Sequence, residues 1–164
     1  QKNGNFEDDV ITPIEDVTQR NYRRNISKKI DKFISLKSRV EFVQIKRASR
    51  ADEKGILFTQ DISFKPKSFP VDLTLRYALF DTDSYDTRIY TYENNALYVF
   101  SIPAYYYQGS RAYILARYSF LRSMDLWVRY GFFLYNNRDE IGSGPQLIEG
   151  NRRSDLTVQL RISF

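Results

Sequence analysis

The chain of 164 residues contains no His and no Cys, which excludes His triads, imidazole acid–base chemistry, His or thiolate metal sites and disulfide frameworks in it. Its 25 basic and 20 acidic residues leave a net charge of +5, modest for one domain, and 13 Tyr with 12 Phe make it rich in aromatics. No run approaches the ~18 apolar residues of a membrane-crossing helix, but a barrel escapes that test because every second residue of its strands faces inward.

Residues 1–19 are acidic, with Gly4, Glu7-Asp8-Asp9 and Pro13, and read as a loop or linker in which only Val10-Ile11-Thr12 could form a short strand. At Arg20 the charge reverses. Arg20, Arg23, Arg24, Lys28, Lys29 and Lys32 surround Tyr22, Ile26 and Ile30 in a candidate first strand. Such a run suits nucleic acid or anionic lipid, but a solvated or lumen-facing row is the plainer reading.

Between Phe33 and Lys46, Ile34, Leu36, Val40 and Phe42 alternate with Ser35, Lys37, Arg39 and Glu41. After loop 47–54, Ile56, Phe58, Ile62 and Phe64 alternate with Thr59, Asp61, Ser63 and Lys65, and Pro66 to Pro70 supply a turn. Val71, Leu73, Leu75, Tyr77 and Leu79 then oppose Asp72, Thr74, Arg76 and Ala78. A period of two puts each set on one side of a strand, and it is too strict for helices.

Beyond the loop from Asp81 to Asp86, Arg88–Glu93 and Ala96–Tyr106 read as a hairpin around Asn94-Asn95, residues that accept positive φ. Its facing stays open, because Tyr90, Tyr92, Tyr98 and Tyr105 occupy both registers. Gln108-Gly109-Ser110 reads as the next turn. Ala112, Ile114, Ala116, Tyr118 and Phe120 then face away from Arg111, Tyr113 and Arg117. After a turn at Leu121–Asp125, Leu126, Val128, Tyr130, Phe132 and Leu134 oppose Trp127, Arg129 and Tyr135. A long loop, Asn136 to Arg153, precedes a last strand with Leu156, Val158, Leu160, Ile162 and Phe164 on one side and Asp155, Thr157, Gln159 and Arg161 on the other.

These nine candidate strands alternate short turns (31–32, 66–70, 94–95, 121–125) with longer loops. Outer-membrane barrels have that asymmetry, short on the periplasmic side and long outside. The expected fold is therefore all-β: an antiparallel transmembrane (outer-membrane) β-barrel, of which 20–164 form the C-terminal strands of a larger barrel. The C-terminus falls in the periplasm of a bacterial cell, and Phe64, Tyr118, Phe120 and Phe164 mark a girdle at that side.

In this frame Lys37, Arg39, Glu41, Asp61, Asp72, Arg76, Arg117, Arg129 and Arg161 face the lumen. Leu73, Leu75, Tyr77, Leu126, Val128, Tyr130, Leu156, Val158, Leu160 and Ile162 face lipid, including lipopolysaccharide. The lumen cations need partners, with Glu41, Asp61 and Asp72 at hand, and a structural ion-pair network is favoured over an anion-selective pore. Leu160, Ile162 and Phe164 resemble the C-terminal signal read by the barrel-assembly machinery, although the glycine usual in that signal is missing.

Catalysis finds no footing. Asp81, Asp83 and Asp86 open like a calcium loop, but Asp86 stands where the glycine belongs and Tyr92 where the bidentate Glu belongs. Gly142-Ser143-Gly144 lacks the lysine and helix of a phosphate loop. No enzyme activity, cofactor or metal is expected.

Arg76 through Tyr90, then Tyr92-Glu93-Asn94-Asn95, Asp139 through Gly144 and the ending Gly150 through Phe164 resemble the C-terminal part of a family of Bacteroidota envelope proteins with N-terminal helix-hairpin-helix repeats. The likeness covers most of 33–164. It implies a longer protein whose repeats, not contained in this chain, hold DNA phosphate and link the barrel to DNA uptake. The function expected is a non-catalytic part of an envelope complex or conduit, with other envelope proteins as partners. A pore for nucleic acid and a soluble β-barrel enclosing an apolar ligand are the alternatives.

Overall fold

The structure, a computed structural model, describes residues 16–142 and 144–163. The candidate strand at 10–12 and the terminal Phe164 lie outside these residues. Period-two alternation becomes β1 (Val17–Lys29), β2 (Ile34–Arg47), β3 (Glu53–Phe64) and β4 (Val71–Thr82). Two short strands follow, β5 (Ile89–Tyr90) and β6 (Ala104–Tyr105), then the long β7 (Gln108–Leu121) and β8 (Met124–Tyr135). The small pair β9 (Glu140–Ile141) and β10 (Ile148–Glu149) flanks a 3-10 turn at Gly144–Gln146 and leads to β11 (Arg152–Ile162).

One antiparallel sheet of seven strands runs β1-β2-β3-β4-β7-β8-β11. Its connections alternate: 30–33, 65–70 and 122–123 at one end, 48–52, 83–107 and 136–151 at the other. Two links at the second end, 83–107 and 136–151, are long, whereas 48–52 is no longer than 65–70, so the asymmetry rests on those two. Residues 88–93 and 96–106 do not join the sheet; apart from the β5–β6 pair they lie along its polar face. Glu93 N donates to Ser101 O across 2.9 Å, so the bend spans 94–100 and is wider than an Asn-Asn hairpin.

Boundaries shift where a local signal misleads. β1 begins at Val17, inside the acidic stretch read as linker, and β11 begins at Arg152. Gln108-Gly109-Ser110 is strand, not turn. Gly109 is there for space: a Cβ would stand 2.3 Å from Leu134 O and 3.0 Å from the Phe80 ring. Between β7 and β8 only Arg122-Ser123 turn, with an irregularity at Ser119/Leu121.

The core sits on one side of the sheet. Val43, Ile45, Leu57, Phe80, Phe133 and Tyr135 point from the strands toward Ile89 and Tyr105 of the 83–107 segment, and all are buried. The Phe80 ring meets Tyr105, Phe133 and Tyr135 edge-on at 5.5–6.0 Å. The opposite side is bare: Ile62, Leu75, Ile114, Tyr130 and Leu156 form one exposed row across five strands. A soluble barrel with these rows packed around an apolar ligand is not the arrangement found, since Leu75 is 41% and Leu156 66% exposed.

Candidate functional site

Cα pairing decides which side chains share a face, because directly paired residues of an antiparallel sheet project to the same side. One such row reads Lys37, Asp61, Arg76, Tyr113, Gly131, Asp155. A neighbouring row reads Arg39, Thr59, Ala78, Arg111, Phe133, Arg153. The nine charged residues Lys37, Arg39, Glu41, Asp61, Asp72, Arg76, Arg117, Arg129 and Arg161 all fall on this loop-covered face. Leu73, Leu75, Tyr77, Leu126, Val128, Tyr130, Leu156, Val158, Leu160 and Ile162 all fall on the bare one.

The 83–107 segment is closed at its neck by Thr82 and Tyr107. Thr82 N donates to Tyr107 O at 2.9 Å and Tyr107 N to Thr82 Oγ1 at 2.7 Å. Those bonds hold Tyr107 at φ 64°, a backbone conformation rarely adopted by an aromatic residue. Nearby, Arg47 donates to Asp86 at 2.6 Å and to Glu53 at 3.1 Å. Thr87 O approaches so closely that a Cβ on Gly55 would stand 2.6 Å from it.

Glu93 is the centre of the site, 0% exposed. It accepts from Tyr105 Oη at 2.6 Å, from Arg111 Nε and Nη2 at 3.1 and 3.0 Å, and from Arg129 Nη2. Arg111 and Arg129 also donate to Asp155, the former at 2.7 Å. Two guanidinium groups thus bridge two carboxylates, and the four formal charges cancel. Burial pushes the Tyr105 phenol up and the negative charge of Glu93 adds to the shift, so this hydroxyl remains a donor.

Backbone carbonyls complete the attachment. Arg76 holds Asp61 with two bonds, at 2.5 and 2.8 Å, and donates Nη1 to Tyr92 O at 2.6 Å. Arg129 Nε donates to Asn94 O at 3.1 Å, and Asn94 N donates to Tyr113 Oη at 3.1 Å. Arg129 lies over the Tyr113 ring at 4.6 Å and Arg111 over Phe133 at 4.4 Å. The bend carries Tyr98, 92% exposed, and Phe100, 78% exposed.

The ion-pair network differs from the expected partners. Asp61 does pair with Arg76, and Glu41 accepts from Arg39 and from Arg23 at 2.8 and 3.0 Å. Asp72 lies 3.8 Å from Arg117, whose nearer partner is Asp125 at 3.0 Å. Arg129 is neutralised by Glu93 and Asp155 instead. Neither was singled out in the sequence: Glu93 sits in a stretch whose facing is open, and Asp155 is one of several polar residues on its strand. Lys37 and Arg161 are exposed and make no ion pair among the described residues.

Lys29, Lys37, Arg39, Thr91, Tyr92 and Asn94 line a groove of about 530 Å³ beside the segment. Asp81, Asp83 and Asp86 point to separate partners, Gln108, the Lys54 backbone and Arg47. Among the described residues no group of three or more potential ligands gathers for a metal.

Gly131 makes room for the bridge. A Cβ there would stand 2.9 Å from Arg111 Nη2 and 3.1 Å from its Cζ. Gly131→Val is expected to push the Arg111 guanidinium off Glu93 and Asp155 and to cost about 1–3 kcal/mol, the range for overpacking. Urea unfolding in micelles checks this; a wild-type midpoint and slope would contradict the tight fit.

An antiparallel sheet with a bare apolar band on one side, charge on the other, only short turns at one end and the two long connections 83–107 and 136–151 at the other has the architecture of an outer-membrane β-barrel. No family model matches the chain, and no curated protein does. Among solved structures it resembles the anion-selective porin from Comamonas acidovorans, with a TM-score of 0.58 at 13% identity over 90% of this chain and 40% of that one. The fold is thus that of an antiparallel outer-membrane β-barrel. The chain spans 40% of the porin's length, and the sheet is open, with β1 and β11 as its edges.

Proposed function

We propose that the chain forms part of the wall of a non-catalytic outer-membrane conduit that passes small anionic solutes. The observation that carries this reading is the contrast between the two faces. The face bearing the 83–107 segment holds buried, neutralised arginines, whereas the other presents an uncharged band from Val71 to Leu79 on β4, about the ~9–11 residues a tilted strand needs to cross a bilayer. In this orientation the short turns and the C-terminal end of β11 lie in the periplasm and the long connections lie outside.

The arginine bridge fastens the 83–107 segment inside the barrel, where it narrows the passage. The cations Lys37 and Arg161, without an ion pair among the described residues, and the groove beside Lys29 then set the sign of the field along it. Small solutes suit this geometry better than the nucleic acid suggested by the helix-hairpin-helix resemblance, because the folded segment occupies the polar face. The porin comparison supports the reading through fold.

The test is single-channel recording of the full-length protein in planar bilayers under a salt gradient. A reversal potential on the anion side is expected, moving toward the cation side in Lys29→Glu/Lys37→Glu. Folded protein that conducts nothing, or that prefers cations from the start, would reject the proposal.

A further inference from the structure

On β2, β3, β4, β7, β8 and β11 the outward side chains within the apolar band carry no charge; Lys46, Lys54, Asp81 and Arg152 stand at its rim, toward the long connections. β1 breaks the rule. On that same side Arg20, Arg24 and Lys28 alternate with Tyr22 and Ile26, and every residue of the strand is exposed. Arg24 pairs with Val40, whose row continues through Phe58 and Leu79 and reaches the rim only on the far strands, at Arg152 of β11. Lys28 pairs with Leu36, whose row continues through Ile62 and Leu75. Both cations therefore lie level with the apolar stretch of the neighbouring strands β2, β3 and β4, and among the described residues neither they nor Arg20 makes an ion pair.

A cation at that depth is strongly disfavoured against hydrocarbon. Closing the barrel would pair the free backbone edge of β1 but leave its outer side chains where they are. We propose that the outer side of β1 is the docking surface for a separate, carboxylate-bearing polypeptide segment, an inference that rests on the membrane reading above. Charge complementarity selects this occupant. Lipid phosphates stay at the rim rather than at the depth of Arg24. A second copy meeting β1 with β1 would set like charges together, and the rest of its band offers no carboxylate except Asp81 at the rim. Tyr22 and Ile26, 59% and 58% exposed, supply apolar contacts between the cations, which recur every fourth residue, about 13 Å apart on an extended strand.

The test places a photo-crosslinking amino acid at Ile26, and separately at Val128, in the full-length protein in its native outer membrane. Ile26 is expected to give an adduct with another polypeptide whose joined peptide is acidic, while Val128 gives lipid adducts. Charge reversal, Arg24→Glu/Lys28→Glu, should lower the Ile26 adduct at least about 10-fold, because like charges across an interface are strongly disfavoured. Arg24→Lys/Lys28→Arg should retain it. Arg24→Leu/Lys28→Leu, which matches the band and keeps the barrel folded, should also lose it. Adducts at Ile26 with lipid alone or with another copy of this chain, or an adduct indifferent to charge reversal, would overturn the proposal. Absence of lipid adducts at Val128 would instead overturn the membrane reading beneath it.

Discussion

Glu93→Gln is expected to free the 83–107 segment from the sheet and to destabilise the protein by about 3–5 kcal/mol, the cost of breaking a buried ion pair by removing one partner. Two guanidinium groups, Arg111 and Arg129, are left sharing Asp155 in a site where Arg129 is 2% exposed. Adding Arg129→Met should recover part of the loss, because Arg111 and Asp155 then remain as a balanced pair. That non-additivity separates the charge account from a simple packing defect. Urea unfolding gives the stability, and limited proteolysis near Tyr98–Phe100 reports release of the bend. In the conduit reading single-channel conductance rises in the same variant. A Glu93→Gln protein with wild-type stability and cleavage would mean that the bridge does not hold the segment.

The site was hard to read in the sequence for a physical reason. Residues 89–93 do alternate, Ile89, Thr91 and Glu93 being buried and Tyr90 and Tyr92 exposed, so a period-two signal is real there. But the surface they pack on contains Arg76, Arg111 and Arg129, so polar Thr91 and Glu93 face the sheet and the aromatic residues face away. A strand rule that sends apolar residues to the covered side inverts this register. The arginine partners of Glu93 lie 18 and 36 positions along the chain and Tyr105 lies 12 away, and no local spacing encodes them. Gly109 misled in the same way, since a glycine that reads as a turn in sequence can equally mark close packing within a strand.

Apart from β1, the strands of the sheet were legible because one side of each is mainly apolar between its charged rims and stays so across the register. Leu73, Leu75 and Tyr77 on β4 meet Ala116, Ile114 and Ala112 on β7, which meet Val128, Tyr130 and Phe132 on β8. A register slip by one residue would exchange that band with the charged rows, so the pairing is strongly specified. The echo Leu75-Arg76-Tyr77, Ala116-Arg117-Tyr118 and Val128-Arg129-Tyr130 is the same constraint seen three times: an arginine between two outward residues.

The same constraint makes the two faces separable by substitution. Leu75→Arg and Val128→Arg are each expected to cost about 2–4 kcal/mol in a bilayer, the penalty for a cation on the lipid side of a barrel strand near the midplane. Thr74→Ser on the loop-covered face, where Thr74 is buried, removes one methyl without adding charge and should cost only about 0.8 kcal/mol, the transfer value of one such group. The solvent is the control. In lipid vesicles the penalty should be full, whereas for a soluble protein with its bare face in water an exposed Leu→Arg change would be nearly neutral. Reversible unfolding in vesicles of defined thickness gives both values, and a larger penalty in thicker bilayers would place Leu75 and Val128 deeper below the rim. Equal tolerance at Leu75, Val128 and Thr74 would remove the membrane assignment, because the apolar band would then have no hydrocarbon to match.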